Sequence, residues 1–137
     1  MVMAPQIEKV HGPARREIVK GLLAYNVATA GKLDHRPLTV TIREHGKVVG
    51  GLAGETFWGW MFVSLLWVSD NHRGHGHGSA LIRTAEEEAR SRGVRNVYLD
   101  TFSFQAPAFY AKLGYREYAR LEEFPAGHCR YWMTKAL

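Results

Sequence analysis

Two stretches of this chain place reactive or ligand-holding residues at a spacing that can do chemistry. The first is Arg73-Gly74-His75-Gly76-His77-Gly78-Ser79, which follows an apolar run ending in Leu66-Trp67-Val68 and leads into a helical pattern. Glycines let the backbone approach a ligand, and the N–H groups of a first helical turn have no intrahelical acceptor. A strand, a glycine loop and a helix in that order make an anion site. The second stretch is Phe109-Tyr110-Ala111-Lys112-Leu113-Gly114-Tyr115, in which Tyr110 offers a hydroxyl that can donate to developing negative charge.

The loop excludes the commoner phosphate sites. A nucleotide-binding Walker loop has Lys-Ser/Thr after its last glycine, whereas Gly78 is followed by Ser79-Ala80. A dinucleotide fingerprint reads Gly-x-Gly-x-x-Gly, whereas Gly74, Gly76 and Gly78 are evenly spaced. His72, His75 and His77 are interleaved with the glycines of the loop, so their side chains are expected to splay, and no thiol is near in sequence. No metal is expected there.

The pattern that does match is Arg-x-x-Gly-x-Gly, at Arg73, Gly76 and Gly78. It resembles the pyrophosphate loop of the Gcn5-related N-acetyltransferase (GNAT) family. The Tyr110-Ala111-Lys112-Leu113-Gly114-Tyr115 segment is similar to that family's Tyr-x-Lys-Leu-Gly-Phe/Tyr, and one helix plus one strand separate the two, as in the family. The resemblance is strongest over residues 60–116. It implies an acyl-CoA N-acyltransferase fold and acetyl-coenzyme A as cosubstrate. It also implies that the backbone of Leu66, Trp67 and Val68 pairs with the pantetheine amides where two parallel strands part. The amides of Arg73, Gly74, His75, Gly76, His77 and Gly78, with Ser79 beside them, would then hold the pyrophosphate. Ser103 stands where the family often has a pantetheine-binding asparagine, and Phe62 where it often has a glutamate base.

The implied chemistry is direct attack of an amine on a thioester. It needs a neutral amine, a donor to the oxyanion and a proton for the thiolate. Tyr110 is the expected donor. A free tyrosine has a pKa of about 10 and a thiol about 8.5, so complete proton transfer is uphill by roughly 2 kcal/mol. Tyr110 therefore suits hydrogen-bond donation better than full acid catalysis. Glu55, near the end of the preceding strand, is the first candidate base, followed by Asp100 and His128. Trp58, Trp60 and Trp67 either pack the sheet or wall an acceptor site, and Tyr131 and Trp132 carry the same ambiguity. Phe102, Phe104 and Phe124 either close the acceptor cleft or plug its rim.

These residues need a frame. Ile7–Val10 reads as a short strand, and Ala14–Ala28 as an amphipathic helix with Pro13 at its start. Leu38, Val40 and Ile42 alternate with polar residues in a half-buried strand, and Val48–Phe57 is its hairpin partner across His45-Gly46-Lys47. The unbroken apolar run Trp60–Ser69 predicts a central strand covered on both faces. The next helix carries Leu81, Ile82, Ala85 and Ala89 on one side, with Glu86/Arg90 and Glu88/Arg92 as i,i+4 pairs on the other, and ends at Gly93. Val94–Thr101, Pro107–Leu113, Tyr115–Leu121 and Cys129–Thr134 complete a β-α-β-β-β-α-β-α-β-β order. That is an α/β (α+β) domain with a single mixed sheet flanked by helices; the resemblance makes it mostly antiparallel.

At 137 residues, with 46% hydrophobic and 23% charged, the chain has the size and composition of a single globular domain, 1–137. No membrane partner is expected, because Gly59–Val68 is cut short by Ser69 and Asp70. The single cysteine, Cys129, excludes an internal disulfide, and with no signal-peptide pattern at the start a cytoplasmic protein is expected. The net charge of +5 divides as +2 over residues 1–70 and +3 over 71–137, with no basic block. Nucleic acid is therefore not the expected partner, and a small-molecule amine is. The alternatives are a protein or aminoacyl-tRNA amine, or a non-catalytic acyl-CoA-binding module. A homodimer paired through the C-terminal strands is a further expectation.

Overall fold

The computed structural model describes residues 3–137 and divides into two compact units, Met1–Leu33 and Asp34–Leu137. The first unit is built on helix α1, His11–Ala30, longer at both ends than its apolar pattern suggests. The amide of Gly31 closes its C-terminus on the Val27 carbonyl at 2.9 Å. The strand expected at Ile7–Val10 does not form. Val10 is extended, but as the residue leading into α1, and no described strand pairs with it.

The second unit is a six-stranded sheet. Its strands are β1 (Arg36–Glu44), β2 (Lys47–Phe57), β3 (Trp60–Val68), β4 (Asn96–Phe102), β5 (Arg116–Glu122) and β6 (Cys129–Ala136). Helix α2 (His77–Ser91) joins β3 to β4, and α3 (Pro107–Lys112) follows β4. The strand order is β1-β2-β3-β4-β6-β5, and every neighbouring pair is antiparallel except β3 and β4. The parallel pair needs a crossover, and α2 supplies it.

The core lies between α2 and one face of the sheet. Leu81, Ile82, Ala85 and Ala89, the predicted apolar side, are all buried against Leu38, Leu52, Met61, Val63, Val97 and Leu99. At the end of α2 the Val94 amide reaches back to the Ala89 carbonyl and the Gly93 amide to Arg90, which satisfies the last carbonyls. Arg92 pairs with Glu88 at 2.9 Å, as its spacing suggests.

Two further expectations are overturned. Glu86 does not pair with Arg90 on the exposed side; it is 3% exposed and faces the sheet, where Lys135 of β6 reaches it at 2.8 Å. Nor is β3 covered on both faces, since Leu65 is 67% and Trp67 51% exposed. The apolar run is unbroken for another reason. Ala53 pairs with Leu65 and Gly54 with Val63, which leaves Ser64 as an extra residue in β3. The bulge shifts the alternation by one, so Met61 and Val63 face the core before it and Leu66 and Val68 after it. Gly54 makes the bulge possible, because a Cβ there would lie 2.2 Å from the Phe62 carbonyl oxygen.

Candidate active site

The site begins where β3 and β4 separate. Their ladder runs from Trp60↔Asn96 to Val63↔Leu99 and then stops, although β3 continues to Val68 and β4 to Phe102. Beyond the bulge, Leu66, Trp67 and Val68 stay paired with β2 through Leu52, Gly51 and Gly50, so one edge of this segment is held and the edge toward β4 is open. An open strand edge is a ready partner for an extended chain of amides. The Val68 carbonyl is itself engaged by Arg73 Nε at 2.9 Å.

The loop follows at once. A 3₁₀ turn over Asp70–His72 leads to Arg73, whose Nη1 meets the exposed Asp70 carboxylate at 2.8 Å. Gly74 and Gly76 have φ of 78° and 81°, where any side chain would be strained, and Gly76 is the residue from which α2 starts. The Ala80 amide is the first of α2 to close a backbone bond, on the Gly76 carbonyl at 3.0 Å. Ahead of it the amides of His77, Gly78 and Ser79 make up the donor end of the helix. Gly78 also lets Phe109 of α3 lie against the loop, with a Cβ there only 3.1 Å from the ring.

The histidines are closer together than their interleaving with the glycines suggests. The His77 ring lies 6.3 Å from both the His72 and His75 rings. His72 Nε2 hydrogen-bonds the Glu44 carboxylate at the end of β1. A carboxylate only accepts, so Nε2 carries the proton and, in the neutral ring, Nδ1 accepts from the Ser69 hydroxyl at 2.6 Å. Among the described residues no group of three or more potential ligands is placed to hold a metal ion.

Tyr110 enters from α3. Its side chain is buried among core residues, with Phe109 5.1 Å and Tyr115 5.9 Å away, both edge-on. Burial, and then the charge of Asp100, push its pKa up to about 12. Relative to a free thiol the transfer gap becomes roughly 5 kcal/mol, which makes Tyr110 a donor that holds its proton. Asp100 is the first residue of β4 past the ladder with β3, on the face away from α2. Arg130 of β6 binds it, with Nε and Nη2 at 2.8 and 2.6 Å from the same oxygen, Oδ1.

Glu55 stands on β2 opposite Phe62, also on the face away from α2. The carboxylate that the family often carries at the Phe62 position is thus present one strand over. Its partner is His35, just ahead of β1. The Phe62 ring stacks on Tyr98 at 4.9 Å. The Tyr98 hydroxyl has its pKa raised by burial and then by Glu55. Tyr110 and Glu55 therefore approach the parting strands from opposite faces of the sheet. Ser103 is turned toward β6: its hydroxyl accepts the Cys129 amide at 3.0 Å. Sequence reasoning missed His35 and Arg130. The β1–β2 hairpin register was the signal for His35; for Arg130 there was none, since its partner lies thirty residues away.

A family model described as the acetyltransferase (GNAT) family matches residues 8–115. The chain belongs to the GNAT family. It is 39% identical over 123 residues to an acetyltransferase of Agrobacterium fabrum, covering 89% of this chain and 90% of that one. It is 40% identical over 110 residues to blasticidin-S acetyltransferase of Streptomyces morookaense, covering 77% and 81%. The crystal structure of an acetyltransferase from Bacillus cereus superposes with a TM-score of 0.89 at 33% identity, over 97% of this chain and 98% of that one. As a GNAT member the chain is an acyl-CoA-dependent N-acetyltransferase, and its mixed sheet with the parted parallel pair is the acyl-CoA N-acyltransferase fold. Among the described residues no helix is long and apolar enough to cross a membrane.

Proposed function

We propose that the chain, acting as one functional domain over 1–137, moves the acetyl group of acetyl-CoA to a primary amine of a small molecule by direct attack on the thioester. The observation that carries the substrate class is the 40% identity to blasticidin-S acetyltransferase over 81% of that relative. Acetyl-CoA supplies the acyl group as an activated thioester. The residues fit it: a row of amides from Arg73 through Gly74, His75, Gly76, His77 and Gly78 to Ser79 meets the pyrophosphate, and the open edge at Leu66, Trp67 and Val68 meets the pantetheine arm. Ser103 stands at the turn after β4, where the family resemblance puts a pantetheine contact, and its hydroxyl accepts from the Cys129 amide instead of facing the arm.

Tyr110 donates a hydrogen bond to the charge that develops as the thiolate departs. No described residue accepts its hydroxyl proton, so the donor is available for that purpose. Glu55, with His35 behind it, draws the proton from the attacking amine through water. β5 is an edge strand whose residues are all exposed, and an open edge supports a homodimer paired there. A cytoplasmic setting fits the single free thiol at Cys129.

The test is thiol release from acetyl-CoA with small primary amines, blasticidin S among them, against peptides with free N-termini. Turnover confined to the small amines is expected. Turnover on peptides alone would overturn the reading.

A further inference from the structure

On the face of the sheet away from α2, at the end of β3 remote from the glycine loop, the strands line a cavity of about 540 Å³. Its walls are Trp60 of β3, Asn96 and Tyr98 of β4, Thr134 of β6, and Arg116 and Tyr118 of β5. The ladders bring them together: Trp60 pairs with Asn96, and Thr134 lies between Tyr98 and Arg116. Tyr118 is the extra residue of a bulge in β5, between the Glu117↔Met133 and Ala119↔Trp132 rungs. The proposed acetyl transfer uses none of these side chains.

Charge and shape define what fits there. No acid lines the cavity, and the Arg116 guanidinium has no ion pair or hydrogen bond among the described residues. The neighbouring Glu117 carboxylate is held by Arg120 at 2.8 Å. One guanidinium matches one carboxylate, whose two oxygens suit its fork, whereas a phosphate group brings close to two charges. The walls are aromatic. Trp60 meets Tyr98 edge-on at 6.0 Å, and the Phe62 ring backs Tyr98 at 4.9 Å. Such rings take up a flat unsaturated body by stacking or edge contact. The Trp60 indole N–H, the Asn96 carboxamide and the Tyr98 and Tyr118 hydroxyls also lack hydrogen-bond partners among the described residues, which leaves them for polar edges of the same body.

The cavity lies within reach of the reaction. Tyr98 pairs with Phe62 and Phe62 with Glu55, and the charge of Glu55 is felt at the Tyr98 hydroxyl. The Trp60↔Asn96 rung stands three residues before the point where β3 and β4 part, about 10 Å at the usual rise of a strand. We infer that this cavity holds the far end of the acceptor, a flat unsaturated ring bearing a carboxylate, with the carboxylate on Arg116 and the ring against Trp60, Tyr98 and Tyr118. The inference rests on the acetyl-transfer reading above and narrows its acceptor to amines that carry such a ring and a negative group at the end away from the nitrogen.

The experiment titrates 4-(4-aminobutyl)benzoate and, separately, 4-phenylbutylamine, which lacks only the carboxylate, into the full chain saturated with CoA, by calorimetry. The wild type is expected to bind the carboxylate-bearing amine at least tenfold more tightly. Arg116→Gln should erase that preference, and Trp60→Leu should weaken both amines several-fold, with CoA affinity unchanged in both variants. Equal affinities, no binding of either amine, or a preference that survives Arg116→Gln would each overturn the inference. The expected binding pattern without acetylation of either amine would support the inference and count against the proposed reaction instead.

Discussion

The hydroxyl of Tyr115 donates to Glu86 Oε2 at 3.1 Å, and the same carboxylate is gripped by Lys135 Nζ at 2.8 Å. A buried acid on α2 is thereby tied to β6 and to the residue that follows the Leu113-Gly114 turn. The Tyr110 ring rests edge-on against the Tyr115 ring. The ion pair is thus both a structural tie and the backing of the proposed hydrogen-bond donor.

Removing one partner of a buried pair leaves a charge that nothing compensates, which costs about 3–5 kcal/mol. Lys135→Met should therefore lower the urea-unfolding free energy by that order. Lys135→Met with Glu86→Gln together should cost clearly less than the single change. Losses that simply add would show that Glu86 and Lys135 do not act as a pair.

Tyr110→Phe keeps the ring and removes only the donor. The kcat should fall roughly a hundredfold, the usual range for loss of one donor to developing negative charge, while KM for acetyl-CoA stays within about threefold. Unchanged turnover would take Tyr110 out of the mechanism.

With its pKa raised to about 12, Tyr110 should contribute no inflection to the kcat profile below pH 11. The raised value also bears on stability. The unfolded chain loses this proton near pH 10 and the folded one near 12, so the contribution is complete below pH 10. It falls as pH rises between the two, by about 3 kcal/mol in all. Denaturant melts of wild type and Tyr110→Phe at pH 9 and 11 test this: the wild type should lose more stability across that interval than the variant.

Gly76 holds φ of 81° at the start of α2. Gly76→Ala strains the turn that aims the loop amides, at a cost of about 1 kcal/mol. KM for acetyl-CoA should rise severalfold to tenfold, with kcat much less affected. A normal KM would mean that the loop amides are not what holds the pyrophosphate.

What could be read ahead of the structure follows the range of the interactions. The Arg73–Gly78 loop, the apolar side of α2 and the β1–β2 hairpin are written in local spacing, and all are found as expected. Glu86 was misjudged because its i,i+4 neighbour Arg90 is visible in the chain while Lys135, forty-nine residues on, is not. The same holds for Asp100, whose orientation depends on Arg130 across a ladder that only the folded sheet brings together. Ile7–Val10 has the composition of a strand, and composition cannot supply a pairing partner.

The extra residue at Ser64 puts the faces of β3 under a different constraint from its composition. Side chains at positions 65 and 67 point away from the core and tolerate exchange. Drawing Ser64 into regular alternation would turn Leu65 and Trp67 inward and Leu66 and Val68 outward, whereas loss of its codon would close the bulge and leave each of them on its present face. What keeps the faces of that strand in place is therefore the bulge, made possible by Gly54, and not the number of residues in it.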